Sequence, residues 1–167
     1  SKIKNVKNIC IKVSRSNSRI LISGPSGSGK ETCARFIHSL SNRMNHPFVV
    51  AACASLSNQM VDQLLFGFND GKNKHDTKSL FEQANNGTIY FNEICDLPID
   101  TQAKLINVIQ DQSFYKYGSN KKIKIDIRVI AGTSYDPNEA VKNGILREDL
   151  YYRLSVVPIS IPSLNSR

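Results

Sequence analysis

The chain of 167 residues is long enough for one domain with a hydrophobic core, and its 22 basic and 14 acidic residues give a net charge of +8. No apolar run approaches the roughly 20 residues that a membrane-spanning helix needs. No basic-then-apolar signal segment opens the chain, so we expect a cytoplasmic protein without membrane contact. The charge suits a partner that carries phosphates, a nucleotide or a nucleic acid, but solvated surface lysines give the same balance.

The four cysteines are Cys10, Cys33, Cys53 and Cys95. They lie far apart and form no Cys-x-x-Cys pair, and three of them fall inside apolar segments. This pattern favours buried thiols in a reducing compartment over zinc ligands or disulfides.

Short apolar runs alternate with helical patterns along the chain, and this alternation predicts a parallel sheet flanked by helices. Strands are predicted at Arg19–Ser23, Phe48–Ala52, Thr88–Phe91, Arg128–Thr133 and Val156–Ile159. Helices are predicted between them at Glu31–Ser41, Asn58–Phe66, Ser79–Ala84, Ile99–Asp111, Asn138–Asn143 and Glu148–Leu154. An exposed β-hairpin is predicted at Phe114–Ile125, and the polar stretch between Phe68 and Lys78 predicts a mobile loop.

The segment from Gly24 to Lys30 reads Gly-Pro-Ser-Gly-Ser-Gly-Lys and lies between a predicted strand and a predicted helix, which is typical of a phosphate-binding loop. Glycines let the backbone curl until its N–H groups face a polyphosphate, and the helix N-terminus and Lys30 add positive charge. The alternative is a Gly/Ser-rich surface loop that ends in lysine, but the flanking elements favour ATP, ADP or a similar nucleotide. The residues expected to bind it are Gly24, Pro25, Ser26, Gly27, Ser28, Gly29, Lys30, Glu31 and Thr32, with Glu31 at the usual place of a Mg²⁺-binding Ser or Thr.

A second motif lies at the end of a later strand, where Asn92 and Glu93 follow three apolar residues. A phosphate loop works with a partner strand whose acidic tip, usually Asp-Glu, handles the metal and the attacking water. Glu93 is therefore the expected catalytic base, and Asn92 with Glu93 the expected Mg²⁺ site. The amide of Asn92 brings no charge to that metal. The alternative is an ordinary buried strand with a polar end.

Two arginines, Arg147 and Arg153, lie in the string Leu-Arg-Glu-Asp-Leu-Tyr-Tyr-Arg-Leu. Their six-residue offset does not place them on one face of a helix. An arginine that reaches into a neighbouring subunit's site can stabilise transition-state charge on the γ-phosphate. The alternative is local pairing with Glu148 or Asp149, and the string alone favours neither.

Together these segments resemble the AAA+ domain of the bacterial enhancer-binding proteins, the activators of sigma-54 RNA polymerase. The family's motifs appear here as Gly24 to Glu31, Gly87 to Ile94 and Leu146 to Leu154. The resemblance implies an α/β, three-layer P-loop NTPase with a five-stranded, mainly parallel sheet. It makes residues 1–167 the α/β nucleotide-binding subdomain from the centre of a longer regulator, without the helical lid that normally follows. It also places Arg147 and Arg153 on the arginine-finger positions.

Within the family, strings such as Asp111-Gln112-Ser113-Phe114 are similar to the NtrX branch of response regulators. That likeness implies a receiver served by the sensor kinase NtrY and a DNA-binding helix-turn-helix, both outside this chain. It also implies self-association through the arginine-finger face. The Gly-Ala-Phe-Thr-Gly-Ala motif with which sigma-54 activators contact the sigma factor is absent between Phe66 and Glu82.

Three positions around the expected γ-phosphate depart from the activator pattern. Asn92 replaces the metal-side aspartate, Ala52 replaces an asparagine that restrains the catalytic glutamate, and Ser134 replaces the sensor asparagine that aligns the water. These departures predict a nucleotide-binding regulatory domain with impaired ATP hydrolysis. One alternative is an active, ring-forming ATPase that remodels a transcription complex, which the retained arginines favour. A scaffold with a vestigial phosphate loop is the other.

Overall fold

The computed structural model describes residues 2–68, 78–116 and 118–163. Its helices are α1 (Lys2–Ser14), α2 (Lys30–Ser39), α3 (Asn58–Phe66), α4 (Leu80–Gln83), α5 (Ile99–Asp111), α6 (Pro137–Lys142) and α7 (Glu148–Leu154). Its strands are β1 (Ile20–Ser23), β2 (Phe48–Ala51), β3 (Thr88–Phe91), β4 (Ser113–Tyr115), β5 (Lys122–Lys124), β6 (Arg128–Thr133) and β7 (Val157–Ser160). None of the described helices is both long and apolar enough to span a membrane.

Five strands form one sheet in the order β2-β3-β6-β1-β7. Every neighbouring pair is parallel, and β1 lies in register between β6 and β7, with Ile20 beside Ile130 and Val157. All five strands therefore end at one edge, here called the carboxyl edge, and begin at the opposite amino edge. Open parallel sheets bind their ligands outside the carboxyl ends of the strands.

Helices cover both faces of the sheet and give three layers. Along β1, Ile20 and Ile22 pack with residues of α1 and α2, whereas Leu21 packs on the other face with α3, α4, α5 and α7. Because both faces are buried, the strands read as short continuous apolar runs. The predicted fold class and the five-stranded parallel sheet are thus confirmed.

The predicted elements agree with the structure to within about two residues at their ends, and β4 pairs with β5 as the predicted hairpin. The loop predicted between Phe68 and Lys78 falls almost entirely on residues 69–77, which lie outside the described residues. The prediction lacked α1, whose buried side is marked by Val6, Cys10 and Val13 at helical spacing. It also lacked the short 3-10 turn at Ile94–Asp96.

Polar side chains at the amino edge bind the protein's own backbone. Arg128, 1% exposed, donates to the carbonyl oxygens of Val13 (2.7 Å), Ser14 (3.2 Å) and Ser18 (3.2 Å). Two of these carbonyls belong to the last turn of α1, where a helix lacks its own donors. Burial, with the charge of Arg43 nearby, lowers the pKa of Arg128 to about 10.

His38 joins α2 to the amino edge. Its Nε2 donates to the carbonyl of His46 (2.9 Å), so its Nδ1 accepts from the hydroxyl of Thr88 (2.8 Å) in the neutral ring. Burial lowers the pKa of His38, in agreement with a neutral ring fixed between one acceptor and one donor. The amino edge is therefore held together by satisfied polar groups.

Candidate functional site

The loop between β1 and α2 has a backbone that only glycine accommodates readily. Gly27 and Gly29 have φ angles of 76° and 97°, in the left-handed region. A Cβ on Gly24 would lie 2.8 Å from the carbonyl oxygen of Ile161 and 2.8 Å from Oγ of Ser28. The Gly24 N–H donates to the carbonyl of Thr133 at 3.1 Å, which ties the loop to the end of β6.

Lys30, the first residue of α2, folds its side chain back over this loop. Its Nζ donates to the carbonyl oxygens of Gly24 (2.7 Å) and Pro25 (3.0 Å). Burial lowers the pKa of Lys30, while the nearby charge of Glu93 acts in the opposite direction. The ammonium is therefore held at the loop and faces the carboxylate side of the site.

A cavity of about 530 Å³ lies at the carboxyl edge beside this loop. The sequence-predicted residues that line it are Ser26, Gly27, Gly29, Lys30, Glu31, Thr32, Asn92, Glu93 and Ser134. The structure thus brings the two motifs and Ser134 together, because β1, β6 and β3 lie side by side. The other predicted loop residues, Gly24, Pro25 and Ser28, are not among the residues that line this cavity.

Two further residues line the cavity and were missed from the sequence, Asp96 and Tyr135. Each lies shortly after the end of β3 or β6, and this position was the available signal. The carboxyl of Asp96 is exposed, but partial loss of water around it, together with the charge of Glu93, raises its pKa. The cavity therefore has a cationic wall at Lys30 and an acidic wall opposite.

The carboxylate of Glu93 is bound on both oxygens. Its Oε2 accepts from the N–H (2.6 Å) and the hydroxyl (2.9 Å) of Ser134, and its Oε1 accepts from the N–H of Cys95 (3.2 Å). Ser134, at the position where the resemblance places a sensor asparagine, is therefore bonded to the expected catalytic base. Ala52, exposed after β2, has no polar side chain with which to restrain Glu93.

Asn92 and Glu93 both line the cavity, and amide and carboxylate oxygens are ligands that suit Mg²⁺. Among the residues that the structure describes, no group of three or more His, Cys, Asp or Glu side chains is placed to hold a metal ion. The donor set fits Mg²⁺ only as a partial shell, completed by phosphate and water oxygens. Magnesium in nucleotide sites is commonly bound in this way.

Arg147 and Arg153 do not line this cavity. Arg147 forms a two-pronged ion pair with Asp149, Nε to Oδ1 and Nη2 to Oδ2, each at 3.0 Å. This pairing lowers the pKa of Asp149 and raises that of Arg147. Arg153 donates through Nη1 to the carbonyl of Asp149 (3.4 Å) and through Nε to Oε1 of Gln110 (2.9 Å). Arg147 thus makes the local pairing that was the alternative to a finger, whereas Arg153 binds a backbone carbonyl and a side chain of α5.

Residues 1–160 match the sequence model of the sigma-54 interaction domain. The chain belongs to the sigma-54 interaction domain family. It is 41% identical over 167 residues to the nitrogen assimilation regulatory protein NtrX of Azorhizobium caulinodans, covering all of this chain and 37% of that protein. It is 43% identical over 158 residues to a putative response regulator of Rickettsia felis described as NtrX-like, covering 93% of this chain and 33% of that protein.

Solved structures of NtrX from Brucella abortus, one in complex with ADP and one with ATP, match this domain with a TM-score of 0.92. Sequence identity to each is 37%, and the match covers 99% of this chain and 36% of the Brucella chain. This sigma-54 interaction domain therefore spans about a third of the length of these relatives. The predicted resemblance, including its NtrX branch, is confirmed.

Proposed function

We propose that this sigma-54 interaction domain binds ATP and ADP as the regulatory domain of an NtrX-like two-component transcriptional regulator, and that it hydrolyses ATP slowly. The observation that carries this proposal is the contrast within one cavity: an intact loop around Lys30 lies opposite a Glu93 whose carboxylate is already hydrogen-bonded. The Brucella abortus relative, solved with ADP and with ATP, supports nucleotide as the ligand.

The phosphate loop and the start of α2 supply the binding groups. The first N–H groups of a helix have no acceptor within it, and Lys30, Glu31 and Thr32 at the start of α2 line the cavity. The ammonium of Lys30 would exchange its contacts with the loop carbonyls for phosphate oxygens. A second, more apolar cavity of about 460 Å³ lies between α1 and the loop, bounded by Val6, Phe36 and other side chains. Its position fits the base of the nucleotide.

Slow hydrolysis follows from the state of Glu93. A general base needs a lone pair directed at the water, but three donors from Ser134 and Cys95 already engage this carboxylate. When bound with ATP, Mg²⁺ neutralises phosphate charge, and Asn92 and Glu93 are the residues expected to face it. Asn92 offers that metal a dipole instead of a full charge, which weakens the electrostatic contribution of this wall.

Contact with the sigma factor is not part of this proposal. The family's contact motif does not occur in the sequence between Phe66 and Glu82. We propose instead that signal and output pass through parts of the regulator outside this chain, a receiver served by the sensor kinase NtrY and a DNA-binding domain. The nucleotide would then set how copies of the regulator associate.

A second candidate function is an active ATPase ring with Arg147 and Arg153 as fingers. One observation favours it: Arg147, Asp149 and the 67%-exposed Tyr152 lie together at the surface of α7. An ion pair at the surface contributes little to stability, so a neighbour's γ-phosphate could replace Asp149 as the partner of Arg147. Loss of turnover in Arg153→Ala with ATP affinity retained, in the intact regulator, would support this function.

ATP turnover and ATP affinity of the intact regulator at saturating Mg-ATP, wild type beside Asn92→Asp, test the proposal. A carboxylate at position 92 should raise turnover about tenfold because it adds a full charge opposite Mg²⁺, with affinity little changed. The matched control is Asn107→Asp, which adds the same charge to α5, outside the cavity. Equal turnover in wild type and Asn92→Asp would reject Asn92 as a cause of slow hydrolysis, and absence of nucleotide binding would reject the proposal altogether.

A further inference from the structure

Two cysteine sulfur atoms that are 23 residues apart in sequence lie in contact in the fold. Sγ of Cys10, on α1, is 3.1 Å from Sγ of Cys33, on α2, and one thiol donates a hydrogen bond to the other. Both residues are free thiols and buried, at 2% and 8% exposure. The wide spacing of the cysteines in the sequence did not predict this contact.

The geometry is already close to that of a disulfide. A disulfide bond is about 2.05 Å long, so the two sulfur atoms must approach each other by about 1 Å. Packing of α1 against α2 holds their backbones, and a change of side-chain torsions can supply this approach. The other two cysteines are remote from this pair, because Cys53 and Cys95 lie in or against the cluster on the opposite face of the sheet.

The pair is accessible to small molecules in spite of its burial. Cys10 and Cys33 line the apolar cavity of about 460 Å³ between α1 and the phosphate loop, together with Gly27 and Gly29. The hydrogen bond from the Cys33 thiol stabilises a thiolate on Cys10 and lowers the pKa of Cys10, while the pKa of Cys33 is raised. A thiolate is the nucleophile in thiol oxidation, so Cys10 is the expected attacking group.

We propose that Cys10 and Cys33 form a reversible disulfide site for peroxide, on the wall of the cavity that the proposed function assigns to the nucleotide base. The Cys10 thiolate attacks one oxygen of hydrogen peroxide, and the O–O bond breaks to give a sulfenic acid and hydroxide, which takes up the proton that the Cys10 thiol released on ionising. The Cys33 sulfur then attacks the sulfenic sulfur, the S–O bond breaks, and the leaving oxygen takes the Cys33 proton. Two thiols are thus oxidised to one disulfide as peroxide is reduced to two waters.

The consequence for the nucleotide site follows from position. Cys33 lies on α2 one turn after Lys30, and its N–H donates to the carbonyl of Gly29 at 2.9 Å. The disulfide would fix α1 to this turn and change the wall of the cavity. A bound nucleotide would in turn cover the pair. If only the free protein reacts, ADP at ten times its Kd should slow oxidation about elevenfold by mass action.

The test is peptide mass mapping of the intact, reduced regulator after treatment with hydrogen peroxide. The expected product is one Cys10–Cys33 linked peptide, lighter by two hydrogen atoms and restored by dithiothreitol. Cys10→Ser and Cys10→Ala should both abolish it, whereas the double variant Cys53→Ser/Cys95→Ser is the matched control and should retain it. Recovery of both residues as free thiols, or as separately oxidised species, would overturn the site.

The rate of disulfide formation with and without ADP distinguishes failure of the disulfide site from failure of the proposed nucleotide binding. Formation of the disulfide in a regulator that binds no ADP would reject the proposed function and leave the disulfide site standing. Oxidation at an unchanged rate in a regulator shown to bind ADP would overturn the placement of the pair at the nucleotide. Protection near the expected factor supports both parts.

Discussion

The two edges of the sheet both carry buried or partly buried ionisable side chains, but they differ in what those side chains face. At the amino edge, Arg128 and His38 are satisfied by backbone carbonyls and by a neighbouring hydroxyl. At the carboxyl edge, Lys30 and Glu93 lie on opposite walls of a cavity of about 530 Å³.

Burial of a charged side chain does not by itself mark a functional site. Arg128 is more deeply buried than Lys30, at 1% against 8% exposure, yet the groups around it are parts of the fold that it stabilises. Polar groups that border open space at the ends of parallel strands are the ones available to a ligand. Variants at each edge should therefore separate stability from binding.

The largest effect is expected for Arg128→Ala. The substitution leaves three carbonyl acceptors and a cavity in the interior, so we expect a loss of about 3 kcal/mol in the free energy of unfolding. Urea denaturation measures it, with Arg35→Ala as the control, because Arg35 is 55% exposed in its ion pair with Glu31. Similar stabilities for the two variants would contradict the structural role assigned to the amino edge.

The next largest effect is expected for Lys30→Ala, which should act on binding. Loss of a charged donor to phosphate typically removes about 1.5–3 kcal/mol, or about 10- to 150-fold in affinity. Titration with ADP measures this change, and the melting temperature without nucleotide should stay near that of wild type. Lys142→Ala, an exposed lysine on α6, is the matched control. Unchanged ADP affinity in Lys30→Ala would instead support a vestigial phosphate loop.

Ser134→Ala should have a smaller effect, on turnover. It removes the hydroxyl bond to Glu93 but keeps the backbone N–H bond, so Glu93 gains one available lone pair. A single hydrogen bond of about 1 kcal/mol corresponds to an increase of about fivefold in steady-state ATP turnover. A decrease would show that the Ser134 hydroxyl assists hydrolysis and does not restrain Glu93.

The smallest effect is a pH dependence at the amino edge. The folded-state pKa of His38 lies below its ordinary value of 6.5, so the unfolded chain binds a proton more readily than the fold does. Stability from this group is complete above pH 6.5 and is lost as the pH falls through 6.5 toward the lowered value. Melting temperatures across this range should show the decrease in wild type and a weaker one in His38→Gln. An equal decrease in both would assign it to other groups.

The sequence predicted the fold because local signals agreed with one another. Thr88–Phe91 and Arg128–Thr133 are apolar runs bounded by polar residues, and both were predicted with the bounds that the structure has. The phosphate-binding loop from Gly24 to Lys30 could be predicted equally well, since its chemistry depends on consecutive backbone groups. Motifs of this kind carry their geometry within a few residues.

Contacts that depend on strand order were beyond the sequence. Glu93 meets Ser134 because β3 and β6 are neighbours in register, and Cys10 meets Cys33 because α1 packs on α2. A single sequence specifies neither pairing. Arg147 and Asp149, by contrast, are two residues apart, and their ion pair was already one of the two alternatives that the sequence offered for Arg147.

The capping of α1 by Arg128 has a practical consequence for shortened versions of this domain. An expression boundary placed between α1 and β1, at Asn17, would remove the carbonyls of Val13 and Ser14. Arg128 would then keep only one of its three protein acceptors. Such a fragment would be less soluble, because the apolar side of α2 that packs against α1 would be exposed to water. Recombinant versions should therefore retain the whole of α1.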